Sequence, residues 1–265
     1  MRINPRILIA LVMAVVAVIG YYGKQQVNPI TGEVQHISIT PEQEVALGLQ
    51  SAPEMAQQFG GLYPDKRVQD QVKAVGQRLV QQTEAAKSPY QFDFHVLADD
   101  QTVNAFALPG GQIFITTALL GRLQTEDQLA GVLGHEIGHV VGRHSAEHMA
   151  QGELMQGLVT ATTVATYDPS MGGGQSAAIA QYVAQIVNLK YGRDDELESD
   201  KFGVKYMMQC NYNPEEMIGV MEILKQASGG REQSEFMSSH PSPDNRMEYI
   251  RQLIEEYRAQ GIGKK

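Results

Sequence analysis

Residues 125–141 make two demands that few folds meet together. Thr125 and Gln128 are spaced as a helix-capping pair, and Leu129, Val132, Leu133, Ile137, Val140 and Val141 recur with the period of one apolar helix face. Inside that stripe stands His135-Glu136-Ile137-Gly138-His139. A helix of this kind carries two imidazoles and a carboxylate into the core, and burying them without partners is costly. A cation is the partner that suits all three. His135 and His139 are four residues apart, so their rings lie one above the other and reach the same point. Glu136 projects beside that point, placed to hold a water molecule and take its proton. The pattern H-E-x-x-H thus predicts a catalytic zinc site with one Zn2+ per chain.

The third ligand decides the kind of site. An extension H-E-x-x-H-x-x-G-x-x-H needs histidine at 145, where this chain has Ser145. His144 comes one residue early and, on a continuing helix, would point away. A carboxylate from a later helix is the alternative. Glu196-Leu197-Glu198-Ser199-Asp200 sets Glu196 and Asp200 four apart on one face. Glu196 is expected to coordinate the metal and Asp200 to accept the free N–H of a ligating histidine. Glu198 is expected on the solvent side. Three protein ligands leave one position open, as catalysis requires.

The chain begins with Arg2 and Arg6 ahead of an uncharged apolar run from Ile7 to Tyr22. That layout predicts a secretory signal or an uncleaved membrane anchor over residues 1–23, with the body of the protein outside the cytoplasmic membrane, in a periplasm-like space. Residues 24–39 are expected to be an irregular linker, and 40–265 the functional domain. Net charge is −9, and residues 1–24 contain no acidic residue, so the remainder is more acidic still. Such a surface repels a phosphate backbone, which argues against nucleic acid as a partner. With Cys210 alone there is no intramolecular disulfide.

Local patterns fill in the domain. Thr40-Pro41-Glu42-Gln43 predicts a capped helix start, and a second helix is expected from Asp65 to about Thr83. Phe92–Leu97 alternates as a half-buried strand. Val103–Leu108 and Gln112–Ile115 flank Pro109-Gly110-Gly111 and predict a hairpin or tight bend. Helices are expected thereafter, broken by a loop at Asp168–Gly174, with a last one from Asp244. The fold class is α+β, mainly helical, with a small sheet.

Four motifs in this order resemble peptidase family M48, zinc metallopeptidases, across most of residues 40–258. They are Gly134–His139, Asn104–Gly111, Asp195–Asp200, and Ser239-His240-Pro241 with Arg246 six residues after the histidine. The resemblance implies a zincin-like (gluzincin) domain whose sheet has an edge strand bordering the cleft. It also implies Glu196 as third ligand with Asp200 behind it. Asn104, Ala105, Phe106, Ala107, Leu108, Pro109, Gly110 and Gly111 would form the edge strand that pairs with extended substrate. His240 and Arg246 would lie over the metal and stabilise the oxyanion. In some relatives the matching histidine binds the metal and keeps the enzyme latent. A helical-repeat domain of the kind some periplasmic relatives carry is not expected, and a prenylated substrate fits poorly. The expected activity is endopeptidase cleavage of unfolded or damaged exported proteins; a chaperone that binds such clients with a rarely active site is the alternative. His36, His95, His144 and His148 are expected to be structural or exposed.

Overall fold

The computed structural model describes residues 5–166, 192–227, 240 and 245–263. The chain divides into two units, Met1–Ile39 with Ala146–Leu189, and Thr40–Ser145 with Lys190–Lys265.

In the first unit, α1 spans Pro5–Tyr22, with Ile9, Leu11, Val16 and Ile19 all exposed. Among the described residues it is the one helix long and apolar enough to cross a membrane. The expected linker is instead partly ordered as a hairpin. β1 (Gln25–Val27) pairs antiparallel with β2 (Val34–His36). Asn28 shapes the turn between them, its Oδ1 accepting from the N–H groups of Ile30 at 2.8 Å and Thr31 at 3.2 Å. Gln35 then donates to Glu147, which lies on α6 (His144–Thr166), at 3.2 Å. Strands of three residues are too short to show alternation, so the turn-forming Asn28-Pro29-Ile30-Thr31-Gly32 dominates the sequence pattern.

The second unit is organised by α5 (Glu126–Val141), every residue of which is buried from Gln128 onward. Before it come α2 (Pro41–Gln58), with the Thr40–Gln43 capping box present, and α3 (Lys66–Gln81), capped by Asp65. Val72, Val75 and Leu79 of α3 face the core. The sheet follows: β3 (Asp93–Leu97), β4 (Ala105–Ala107) and β5 (Gln112–Thr116), in the order β3-β5-β4. β3 runs parallel to β5, and β4 pairs antiparallel with β5 as the hairpin expected from the glycine turn. After the short α4 (Thr117–Leu120) and α5 come α7 (Arg193–Gln209), α8 (Glu216–Ala227) and α9 (Arg246–Ala259). Ile250, Leu253, Ile254 and Tyr257 make the buried face of α9, and Cys210 is buried where α7 ends. The class is α+β, as expected. The loop expected at Asp168–Gly174 lies outside the described residues, as do Ser239 and Pro241.

Two close approaches set the geometry that matters. Gly110, at φ 79°, lies against α2, where an added Cβ would come 2.4 Å from Val45 Cα. On the other side, a Cβ at Gly48 would meet the Pro109 carbonyl oxygen at 2.0 Å. The β4–β5 turn is therefore seated directly on helix backbone. α5 and α7 pack even more extensively, and they do so through small residues. A Cβ at Gly134 would lie 3.2 Å from Gly203 Cα, and one at Gly138 only 2.8 Å from Ser199 Cα. The spacing of the two helix axes is thus kept short where His135 and His139 stand on one helix and Glu196 and Asp200 on the other.

Candidate metal centre

The 3.6-residue period puts His135 and His139 on the side of α5 that faces α7, and Glu196 and Asp200 one turn apart on the side of α7 that faces back. All four side chains are buried, together with Glu136, His240 and Arg246. His135, His139, Glu196 and His240 each turn one donor atom towards a common point, all within 4.8 Å of one another. His135 Nε2 is 3.1 Å from His139 Nε2 and 3.5 Å from Glu196 Oε2. His139 Nε2 is 3.4 Å from Glu196 Oε1. His240 Nδ1 lies 2.9 Å from Glu196 Oε1 and 3.4 Å from His135 Nε2. Donors around a tetrahedral ion with bonds of about 2.0–2.1 Å stand roughly 3.3 Å apart, so this set fits a zinc-sized cation. Imidazole and carboxylate are also the donors such an ion takes.

The surroundings hold the donors in place. His135 Nδ1–H donates to Asp200 Oδ1 at 3.0 Å. Arg246, at the start of α9, forks onto Asp200 with Nε and Nη2, both at 2.6 Å, and reaches Glu196 Oε2 with Nη1 at 2.9 Å. It therefore sits behind the carboxylates with its donors committed to them, rather than over the point where the four donors converge. Burial pushes the Asp200 carboxyl up, but the Arg246 guanidinium and His135 outweigh it and hold the group below its ordinary value. Burial likewise opposes ionisation of Glu196, which His240, His135 and His139 hold well below the usual carboxylate range. Burial alone would pull His135 down, yet its bonds to Asp200 and Glu196 raise it to about 9, so a bound cation would displace a proton there. His139 is driven well below its usual value, chiefly by burial, and presents a neutral ring.

Glu136 stands apart from the donor set. Both of its carboxylate oxygens are buried without a hydrogen-bond partner, and Oε1 is 3.7 Å from His240 Nε2. Burial raises its pKa, against the pull of His240 and His135. An unpartnered buried carboxylate is expensive to keep and marks a group held ready for another molecule.

Of the expected substrate strand, Ala107, Leu108, Pro109 and Gly110 line a narrow crevice with His139, Val140 and Arg143. Thr116 N–H donates to the Asn104 carbonyl at 3.0 Å, and Leu108 N–H donates to the Gln112 carbonyl at 2.8 Å. With Phe106 opposite Phe114 between them, the ladder uses residues 104, 106 and 108. The backbone groups of Ala105 and Ala107 consequently point to the other edge of β4.

Two expectations fail here. α5 does not continue past Val141: Gly142 ends it and Arg143 turns the chain at φ 58°. His144 therefore swings back instead of pointing away, and its Nδ1 sits 2.9 Å from His139 Nδ1. Glu198 is not a solvated residue either, since its Oε2 meets His144 Nε2 at 2.9 Å. Arg143 is pinned in that turn by buried Glu44 of α2, which accepts from its Nε at 2.9 Å and from its Nη2, with Tyr90 OH 3.2 Å from Glu44 Oε2. No local pattern marks this pairing across 99 residues; the only hint is that an ion pair must cover any charge buried so deeply. His95 is structural as expected, bonded to Gln112 and stacked on Phe114.

The chain is similar to known proteins. The chain is 27% identical over 235 residues to the beta-barrel assembly-enhancing protease of Yersinia pestis, covering 86% of this chain and 47% of that protein. It is 26% identical over 203 residues to the protein of that name in Escherichia coli K12, covering 74% and 41%. With the mitochondrial metalloendopeptidase OMA1 of Homo sapiens it shares 27% identity over 250 residues, covering 89% and 47%. The chain thus spans about half the length of the curated relatives it matches. Residues 66–254 match the family model described as Peptidase family M48, a stretch that runs from α3 through every donor of the cluster to α9. That match covers most of the chain and all of the site, and the chain belongs to peptidase family M48.

Proposed function

We propose that this protein is a zinc-dependent endopeptidase that cuts extended segments of unfolded or damaged polypeptides outside the cytoplasmic membrane, with α1 as its anchor or export signal. The observation that carries the reading is Glu136: a buried carboxylate without a hydrogen-bond partner, beside four converging donors. Bound by His135, His139 and Glu196, zinc would polarise the scissile carbonyl and bring the pKa of a water molecule towards neutrality. Glu136 takes the water's proton and delivers it to the leaving amine. Asp200 holds His135 in the tautomer that leaves Nε2 free to coordinate. Arg246 acts through Glu196 and Asp200 as a positioning residue. The apolar span of α1 and the arginines before it support the cellular setting, and the relatives named as an assembly-enhancing protease and a metalloendopeptidase support the activity.

Substrate backbone pairs with the edge of β4 that faces away from β5, through the backbone groups of Ala105 and Ala107. Ala107→Pro tests this directly. Its N–H is outside the β4–β5 ladder, and proline is tolerated on an edge. Losing one backbone donor to substrate is expected to lower kcat/KM by about 3- to 10-fold, with little change in melting temperature. An unchanged kcat/KM would place the substrate elsewhere.

His240 favours a second, latent state of the same enzyme. Its Nδ1 stands at the fourth corner of the donor set, the position a catalytic site keeps open. When displaced, His240 is free to donate to the developing oxyanion. The test is digestion of a reduced, alkylated model protein by the full chain in detergent. Cleavage is expected to stop on chelation and return with added zinc, and His240→Ala is expected to raise the initial rate if the latch dominates. A zinc-loaded protein that fails to cut, with or without His240, but suppresses aggregation of the same client would establish the chaperone alternative.

A further inference from the structure

His139 and Glu198 are joined through His144, and with His139 as a ligand the two rings and the carboxylate allow one arrangement of protons. His139 Nε2 faces the donor cluster, so a ligating His139 must carry its proton on Nδ1. That proton points at His144 Nδ1, 2.9 Å away, and only one proton fits between the two nitrogens. His144 Nδ1 therefore accepts, with Ser199 Oγ a further 3.5 Å neighbour, and the proton of His144 is left on Nε2. Nε2 faces Glu198 Oε2 at 2.9 Å, with Asp195 Oδ1 at 3.9 Å. A carboxylate can only accept, so every link is satisfied. The reverse order would put the proton of His139 on Nε2, block the lone pair a metal needs, and set the bare Nε2 of His144 against Glu198.

We propose that Glu198 and His144 form a relay that fixes the coordinating tautomer and ring orientation of His139, as Asp200 does directly for His135. The two ligating histidines of α5 are thus both set by carboxylates of α7, one by contact and one through an intervening ring. His144 reaches its place because the Glu44–Arg143 pair reverses the chain just before it, and because Gly142, where a Cβ would come 2.5 Å from His144 Nε2, leaves space for the ring. Both are positioning residues and touch no substrate. The relay rests on His139 being a metal ligand, the reading proposed above.

The test is zinc affinity of the full chain by chelator competition, beside the melting temperature of the zinc-free protein. Glu198→Ala is expected to weaken zinc binding by about 10- to 100-fold. Glu198 is partly exposed and not part of the apolar core, so zinc-free melting should hardly move. Glu198→Gln still presents an amide oxygen to His144 Nε2–H and should retain most of the affinity. His144→Leu should lose as much as Glu198→Ala, and the double variant no more than His144→Leu alone, because Glu198 acts through His144. Unchanged affinity in Glu198→Ala, losses that multiply in the double variant, or Glu198→Gln as weak as Glu198→Ala would each overturn the relay. His139→Ala separates this from the parent reading. If that variant binds zinc as tightly as the parent protein, His139 is not a ligand; if it loses zinc while Glu198→Ala does not, only the relay fails.

Discussion

Glu136→Gln is expected to remove peptide-bond cleavage while leaving the fold and the bound zinc in place. Glutamine matches glutamate in shape, so packing around the site is preserved. The substituted group is neutral, and it relieves the protein of a buried carboxylate that has no hydrogen-bond partner. Zinc should stay because Glu136 is not among the converging donors. What is lost is the proton acceptor. General-base catalysis contributes about 10²- to 10⁴-fold, so kcat should fall by that factor with KM little changed. Zinc content and melting temperature measured on the same preparation complete the experiment. A variant that keeps zinc and still cuts within about ten-fold of the parent would take the proton-transfer role away from Glu136.

The second large effect is on stability. Arg246 is buried, and among the described residues it is the guanidinium that faces Asp200 and Glu196 together. Arg246→Met keeps an unbranched stem of similar length but leaves two buried carboxylates without their cation. Breaking a buried ion pair from one side costs about 3–5 kcal/mol. For a domain of this size that corresponds to a fall of roughly 6–20 °C in melting temperature. Zinc should recover part of the loss by neutralising Glu196, so the variant's melting temperature should depend on added zinc more steeply than the parent's. Arg246→Lys restores the charge without the fork and should fall between the two. The acid side follows from the direction of the Asp200 shift. Its carboxyl is held below the ordinary value in the folded protein, so its contribution is complete above the unfolded pKa and fades as pH falls through the lowered folded one. In Arg246→Met that acid-side loss should begin at higher pH. A melting temperature within about 2 °C of the parent, with and without zinc, would show that the carboxylates are held by something other than Arg246.

The site was legible in the sequence where its geometry is local. The helical period alone stacks His135 over His139 and Glu196 over Asp200, and short-range signals, Thr40 with Gln43 and Asp65 before Lys66, mark where the helices start. It was not legible where a residue's direction depends on a distant partner. His144 looked like a residue on the far side of a continuing helix because Gly142 alone does not say how the chain turns after α5. Arginine is not a residue that favours φ 58°, and Arg143 in that conformation is gripped by Glu44 of α2. Once the chain turns, His144 and then Glu198 move from the surface into the surroundings of His139. Arg246 shows the same limit. Its spacing from His240 brought it to the site, but only its contacts show that it braces carboxylates rather than facing an open position.

By itself, then, the sequence determined the family, the α+β class, the main helices, and which residues of the site share a helix face. These follow from repeat period, capping and residue chemistry over a few positions, which the covalent chain sets directly. The tertiary structure alone decided how close α5 and α7 come, and hence that His135, His139 and Glu196 turn their donor atoms towards one point. It also decided that His240 stands at the fourth corner and that His139 is tied through His144 to Glu198. Those facts depend on glycines packed against another helix's backbone and on ion pairs between residues as many as 99 positions apart. Such contacts arise only when the whole core closes, and no pattern confined to neighbouring residues encodes their distances.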